Sequence, residues 1–249
     1  MHPPRILAAL FLLPAAVPRA ATLDEVLTRL RAARNTADFT ASARLVDVAA
    51  SGERQSHAIT VKAHAFPDGL RIFCDVANPR VRLLLIAPSA GPVVIRTGHP
   101  GDAAPKELPP DRWGEGLLGT NFAYEDLIEN QSIWRRQTLL PEATYGARTC
   151  VVLRSEPGPA DQTRYASVTS WLDHEVYSTV KVEKVVKSSG ELKRFIYYGL
   201  REVKGVWSAS QIECKIAGKP GSSLLIINRG SAAPHHTRAA FDPALLTRP

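Results

Sequence analysis

The 249-residue chain is poor in the features that announce chemistry. It has no G-x-S-x-G, no H-E-x-x-H, no P-loop and no G-x-G-x-x-G after a strand. Those absences remove the commonest signatures of hydrolases, zinc proteases and nucleotide binders. It has only three cysteines, Cys74, Cys150 and Cys214, at no zinc-like spacing. Cys74 alternates with Leu70, Ile72 and Val76 as a small core hydrophobe, whereas Cys150 and Cys214 lie in strand-like segments and could pair or stay free. No run of five like charges occurs, although the chain carries a net +7, so a nucleic-acid-binding tail is not expected. No segment has the roughly 18 apolar residues that mark a membrane helix.

Histidine offers little. His57 and His64 are seven residues apart in one strand-like segment, which places them on opposite faces. His235-His236 sits in a polar stretch, and Asp173-His174-Glu175 reads as a turn. No catalytic residue, metal ligand or cofactor site is assigned, and the chain is not expected to be an enzyme. A spatial triad would leave no mark in sequence.

The N-terminus carries a positive residue, Arg5, then the apolar run Ile6–Leu13, then Pro14, Ala15, Ala16, Ala20 and Ala21. That order is the pattern of a cleavable secretory signal, assigned to residues 1–21. With an Ala- and Arg-rich composition, it implies export to a bacterial periplasm. Removing Arg5 and Arg19 from the net +7 leaves +5 for the remainder, residues 22–249.

Residues 22–249 are expected to form a single domain. Thr22 and Glu25 form a T-x-x-E capping box, and Leu23, Val26, Leu27, Leu30 and Ala33 recur at helical spacing. From Phe39 the period changes to two. Segments around 39–45, 59–65 and 70–76 alternate, separated by Ser51-Gly52 and Pro67-Asp68-Gly69 turn signals. Further short strands follow at 81–87 and 93–96. Residues 97–116 lose all period and are dense in Gly and Pro. Beyond them the strand pattern resumes, with Val176, Val180, Val182 and Val186 on one side of a strand and Gly205 suggesting a bulge. The tail FDPALL could dock as a short helix. The total is about eleven strands with a few helices, a mainly β (α+β) chain.

At the end of the aperiodic loop stand Trp113, Leu117, Leu118 and Phe122, with Leu127 beyond. They read either as core packing by the loop or as a lid over an apolar cavity. Here the stretch GTNFAYEDL, Gly119–Leu127, resembles the G-T-[DN]-F-[ST]-Y-E-D-L signature of the LolA-like outer-membrane lipoprotein-sorting family. PRVRLLLIAP, WRRQTLLPEATYGARTCVVLRSEP and YASVTSWLDHEVYSTVKVEKVVKSSGELKRFIYYGLREVKGVWSASQIE continue the resemblance over nearly all of residues 22–249. Ala123 departs from the family's usual Ser or Thr, and Val93–Arg96 fits its strand loosely.

The resemblance implies a strongly curved antiparallel sheet, an incomplete β-barrel with helices covering the concave face. It implies a periplasmic carrier that holds lipid or lipoprotein acyl chains in an apolar cavity under a helical lid, on the way to the outer membrane. An inner-membrane exporter and an outer-membrane acceptor would be its partners. An envelope lipid sensor or a protein-binding module with the same fold is the alternative. On this reading GTNFAYEDL is the lid, Thr120 or Asn121 caps it, and Trp113, Leu117, Leu118, Phe122 and Leu127 line cavity or lid.

Overall fold

The computed structural model describes residues 21–203, 206–232 and 234–249. The signal segment and the Gly205 bulge expected from sequence therefore lie outside the described residues, save for Ala21. Helix α1 (Leu23–Asn35) opens the fold. Its capping box is present: the Thr22 N–H donates to Glu25 Oε2 (2.8 Å) and the Glu25 N–H to Thr22 Oγ1 (3.3 Å).

Fifteen strands follow: β1 (Asp38–Val48), β2 (Arg54–Phe66), β3 (Gly69–Val76), β4 (Val81–Pro88), β5 (Val94–Gly98), β6 (Lys106–Glu107), β7 (Arg136–Tyr145), β8 (Arg148–Glu156), β9 (Tyr165–Asp173), β10 (Thr179–Val186), β11 (Leu192–Tyr198), β12 (Arg201–Val203), β13 (Val206–Ser208), β14 (Gln211–Ile216) and β15 (Ser222–Ala232). Thirteen of them form one antiparallel sheet in the order β6-β5-β4-β3-β2-β1-β15-β14-β11-β10-β9-β8-β7, and β12 and β13 pair as a separate hairpin. The expected eleven strands are thus exceeded. The two-residue β6 is too short to show a period. The sheet does not close into a barrel, since β6 and β7 end it on opposite sides. The expected few helices reduce to one α-helix among the described residues, the rest being 3-10 turns.

The strand order explains the middle of the chain. A meander runs outward from β1 to the edge at β6, and a second runs inward from the opposite edge at β7 to β15, which pairs with β1. The chain must therefore pass from one edge of the sheet to the other between residues 107 and 136. It does so across one face. Leu108, Trp113, Leu117, Phe122, Ile128 and Trp134 join a single core with Leu45, Ile59, Cys74, Leu83 and Ile95 of one wing and Val168, Val182, Phe195 and Cys214 of the other. One narrow segment can touch both wings only because the sheet curves around it. Helix α1 spans the same gap. Val26 and Leu27 bury against Val151, Leu153 and Leu172, while Arg34 Nη2 donates to the Ala87 carbonyl of β4 (3.1 Å). A 13-residue helix is about 20 Å long, which bounds the distance between the wings.

The opposite face is covered only locally. Phe241 and Leu246, in two C-terminal 3-10 turns, pack on Phe73 and Leu84. The FDPALL tail docks as expected, and this explains why Leu83–Ala87 is apolar without alternation: β4 is buried on both faces.

Candidate functional site

The segment that crosses the sheet is a plug of 3-10 turns at Pro110–Arg112, Leu117–Gly119, Tyr124–Leu127 and Gln131–Ile133. The GTNFAYEDL stretch forms its centre, and most of its residues have a separate attachment. Gly119 adopts φ +78°, the left-handed turn that glycine supplies without steric cost. The Thr120 hydroxyl donates to the Leu117 carbonyl (2.8 Å) and accepts from the Phe122 N–H (3.3 Å). The Asn121 N–H donates to Ser223 Oγ of β15 (2.8 Å), and the Asn121 carbonyl accepts from Cys214 Sγ of β14 (3.5 Å). Phe122 meets Phe195 edge-on, with ring centroids 5.8 Å apart. Neither Thr120 nor Asn121 caps the turn that follows. Ala123 holds the cap position, and its N–H donates to Asp126 Oδ2 (2.8 Å). The Asp126 carboxylate thus supplies the reciprocal half of a capping box, and the half a Ser or Thr hydroxyl would supply is missing at Ala123.

The five residues singled out from sequence come together. Trp113, Leu117 and Phe122 are buried within the core, and Leu118 and Leu127 are half-buried against it. Trp113 Nε1 donates to the Leu108 carbonyl (2.9 Å). Leu118 has φ +53°, a left-handed conformation that costs a residue with a Cβ roughly 1–2 kcal/mol. Val61, Leu225, Ile212 and Tyr197 of the inner face are, like Leu118 and Leu127, half-buried apolar side chains packed against this core. Strand register makes Leu225, Ile212 and Tyr197 direct cross-strand neighbours. Beneath the plug lies a void of about 10 Å³, bordered by Glu125, Trp134, Tyr165 and Lys184, roughly the size of one water. A more open cleft of about 490 Å³ includes Arg44, Thr60, Asp75 and Arg80. These polar side chains face away from the plug.

What the sequence reading missed is charged. Asp126 is fully buried and binds three groups of the sheet. Lys184 Nζ of β10 donates to Oδ1 (2.9 Å), Lys193 Nζ of β11 donates to Oδ2, and the Tyr165 hydroxyl of β9 donates to Oδ1 (2.6 Å). Burial alone would raise the Asp126 carboxyl, but the two ammonium groups and the Tyr165 hydroxyl outweigh it and hold the pKa well below the usual carboxylate range. Lys184 is raised: burial opposes its charge, and Asp126 more than restores it. Next door, Glu125 is raised by burial, against hydrogen bonds from the Thr163 hydroxyl and the Arg164 N–H (3.2 Å). Glu129 accepts from the Tyr197 hydroxyl. The three carboxylates of YEDLIE thus fasten the plug to β9, β10 and β11.

The remaining candidates are structural. All three cysteines are free thiols, buried in β3, β8 and β14, so the Cys150–Cys214 pairing is not formed. Asp173 pairs with Arg148 and accepts from the Glu175 and Val176 N–H groups (3.0 and 3.1 Å), holding the turn after β9. His57 and His64 do face opposite sides of β2, where register runs unbroken. Among the described residues no group of three His, Cys, Asp or Glu side chains is arranged to hold a metal, and no helix is long and apolar enough to cross a membrane.

A protein-family model described only as "-like: Uncharacterized protein" matches residues 100–248, more than half the chain and including the whole plug. The chain belongs to that family, and its fold is LolA-like. A putative outer membrane lipoprotein-sorting protein domain from Vibrio parahaemolyticus superposes with a TM-score of 0.80 at 20% identity, covering 89% of this chain and 97% of that one. A DUF1329 family protein from Desulfovibrio piger gives 0.80 at 13% identity over 90% and 97%. A LolA superfamily protein from Nitrosomonas europaea gives 0.70 at 16% over 91% and 100%. No curated protein matches the chain. The LolA-like fold is therefore shared at low identity, with one large curved sheet and one α-helix among the described residues.

Proposed function

We propose that residues 22–249 form a non-enzymatic carrier that binds acyl chains of a lipid or lipoprotein between the plug and the inner face of the sheet. After cleavage of residues 1–21 it would work in the periplasm, receiving cargo from an inner-membrane exporter and releasing it to an outer-membrane acceptor. The observation that carries this reading is the apolar strip at the plug's margin. Tyr197, Ile212 and Leu225 are half-buried cross-strand neighbours on the inner face, and Leu118, Leu127 and Val61 are half-buried against the same core, which leaves apolar surface on the plug's side of the sheet. The likeness of the fold to the lipoprotein-sorting domain from Vibrio parahaemolyticus agrees with it.

Magnitudes decide how the strip could be used. With the plug docked the inner face is filled, so a ligand gets in by displacing part of the plug. A twelve-carbon chain carries about ten methylenes, and burying them contributes roughly 8 kcal/mol. Association itself costs at least about 4 kcal/mol, so the acyl chain alone leaves little surplus for breaking the buried charges at Asp126 unless the ligand brings an anion that replaces that carboxylate. Insertion is therefore expected at the margin, with Leu118 and Leu127 shifting first and the strained turn at Leu118 relaxing.

The test is a titration of delipidated protein with a fluorescent twelve-carbon fatty acid. Ile212→Arg and Leu118→Arg place a charge on half-buried positions that tolerate it and should each weaken binding at least tenfold. Unchanged affinity in both folded variants would remove the strip from the site.

A further inference from the structure

Lys184 and Lys193 are directly opposite each other in the antiparallel pairing of β10 with β11. Both point to the inner, apolar face, with side chains only 5% and 3% exposed. Like charges facing each other across two strands repel, and burial removes the water that would screen them. Their compensation does not come from the sheet. The carboxylates that act on Lys184 are those of Asp126, Glu129 and Glu125, all in the plug, and Lys193 is paired with Asp126. The sheet surrounds the two ammonium groups with aromatic rings instead: Lys184 lies 4.7 Å from the Phe195 centroid and 5.1 Å from that of Tyr165.

Any movement that withdraws Asp126 leaves two adjacent ammonium groups facing a site lined by Phe195 and Tyr165. An incoming neutral ligand would leave that charge unmatched, whereas an incoming anion would replace the carboxylate it displaces. Resting on the carrier reading above, we propose that Lys184 and Lys193 are a head-group site for an anionic amphiphile, a carboxylate or phosphate joined to an acyl chain, and that Asp126 fills it when the site is closed. The Tyr165 hydroxyl, which donates to Asp126 Oδ1 at 2.6 Å, supplies a third donor to the same anion. The chain of the ligand would then run along the strip past Tyr197 and Ile212.

The experiment compares ligands of one chain length by calorimetric titration of the delipidated full-length protein at pH 8. Dodecanoate and dodecyl phosphate should bind at least tenfold more tightly than 1-dodecanol. The triple variant Asp126→Asn, Lys184→Met, Lys193→Met removes the charges together, keeps an oxygen acceptor for the Ala123 N–H with the amide N–H donating to the Tyr165 hydroxyl oxygen, and avoids a stranded buried ion. It should bind dodecanol at least as tightly as wild type, because no buried charge is left unmatched, and lose the preference for the anions. Equal affinity for dodecanoate and dodecanol in the wild type overturns the head-group site and leaves the carrier reading standing. A preference that persists undiminished in the folded triple variant also overturns it, by assigning the effect to surface charge. Displacement of bound dodecanoate by millimolar acetate or inorganic phosphate would make the pair a small-anion site and overturn the amphiphile. Failure of every twelve-carbon ligand to bind removes the carrier reading itself.

Discussion

At the scale of single residues, Asp126 is the position on which most depends. Truncating it to alanine strands two buried ammonium groups, and breaking a buried pair from one side costs about 3–5 kcal/mol. Asp126→Ala should lower the stability measured by urea unfolding by that amount. The pH dependence follows from the signs. Asp126 is depressed, so its contribution is complete above the unfolded carboxylate value and is lost as pH falls below about 4. Lys184 is raised, so its contribution is complete below the unfolded lysine value and fades only above about pH 10. The deficit of Asp126→Ala should therefore be constant between about pH 5 and 9 and shrink in acid; a deficit that grows in acid contradicts the assignment. The cysteines give a second prediction. Burial pushes the Cys74 and Cys214 thiols up to about 12, so neither should react with a thiol reagent at pH 8 until the protein unfolds. Part of this was legible in the sequence. Val180, Val182 and Val186 mark the buried face of β10 by alternation, and Lys184 has the same parity. A lysine on an apolar face calls for a buried partner, but no sequence rule says that the partner lies 58 residues away in a loop.

At the scale of elements, the plug is held by specific contacts and not by regular hydrogen bonding, and its glycines should separate accordingly. A Cβ on Gly116 would stand 2.3 Å from the Thr120 carbonyl, whereas one on Gly119 meets nothing within 4 Å. Gly119→Ala should cost only the conformational strain of its positive φ, about 1 kcal/mol. Gly116→Ala should cost more and should raise hydrogen exchange of the Gly119–Leu127 amides. Equal effects would mean that the plug adjusts freely. The strands and α1 were readable because alternation and helical spacing persist over eight or more residues. The plug was not, because turns of three or four residues have no period. Its identity came from the resemblance of GTNFAYEDL, and its job from the strand order, since a chain whose meanders end on opposite edges of one sheet must cross its face.

At the scale of the whole molecule, the sheet is held in its curve from both sides. On the inner face α1 and the plug connect the wings. On the outer face the C-terminal turns cover β3 and β4, with Arg82 Nη1 donating to the Leu245 carbonyl (2.7 Å) and Phe241 fully buried. Phe241→Ala should therefore destabilise by about 3–5 kcal/mol, read from the shift in the urea midpoint, although it lies on the face away from the plug. It should leave fatty-acid affinity unchanged in the folded protein. Alternation predicted the strands and the resemblance their curved antiparallel sheet, since curvature is a property of which residues meet across the sheet and no local pattern records that.

Everything functional here rests on whether the inner face takes an acyl chain. The most direct measurement is native mass spectrometry of the protein exported to a bacterial periplasm and purified under mild conditions, with lipid extraction from the same sample. The account predicts a near-stoichiometric adduct whose extract contains an acyl-chain lipid or acylated peptide, removed by detergent. An apo mass throughout, in a protein that also fails to take up a fluorescent fatty acid, would contradict it and turn attention to a protein partner.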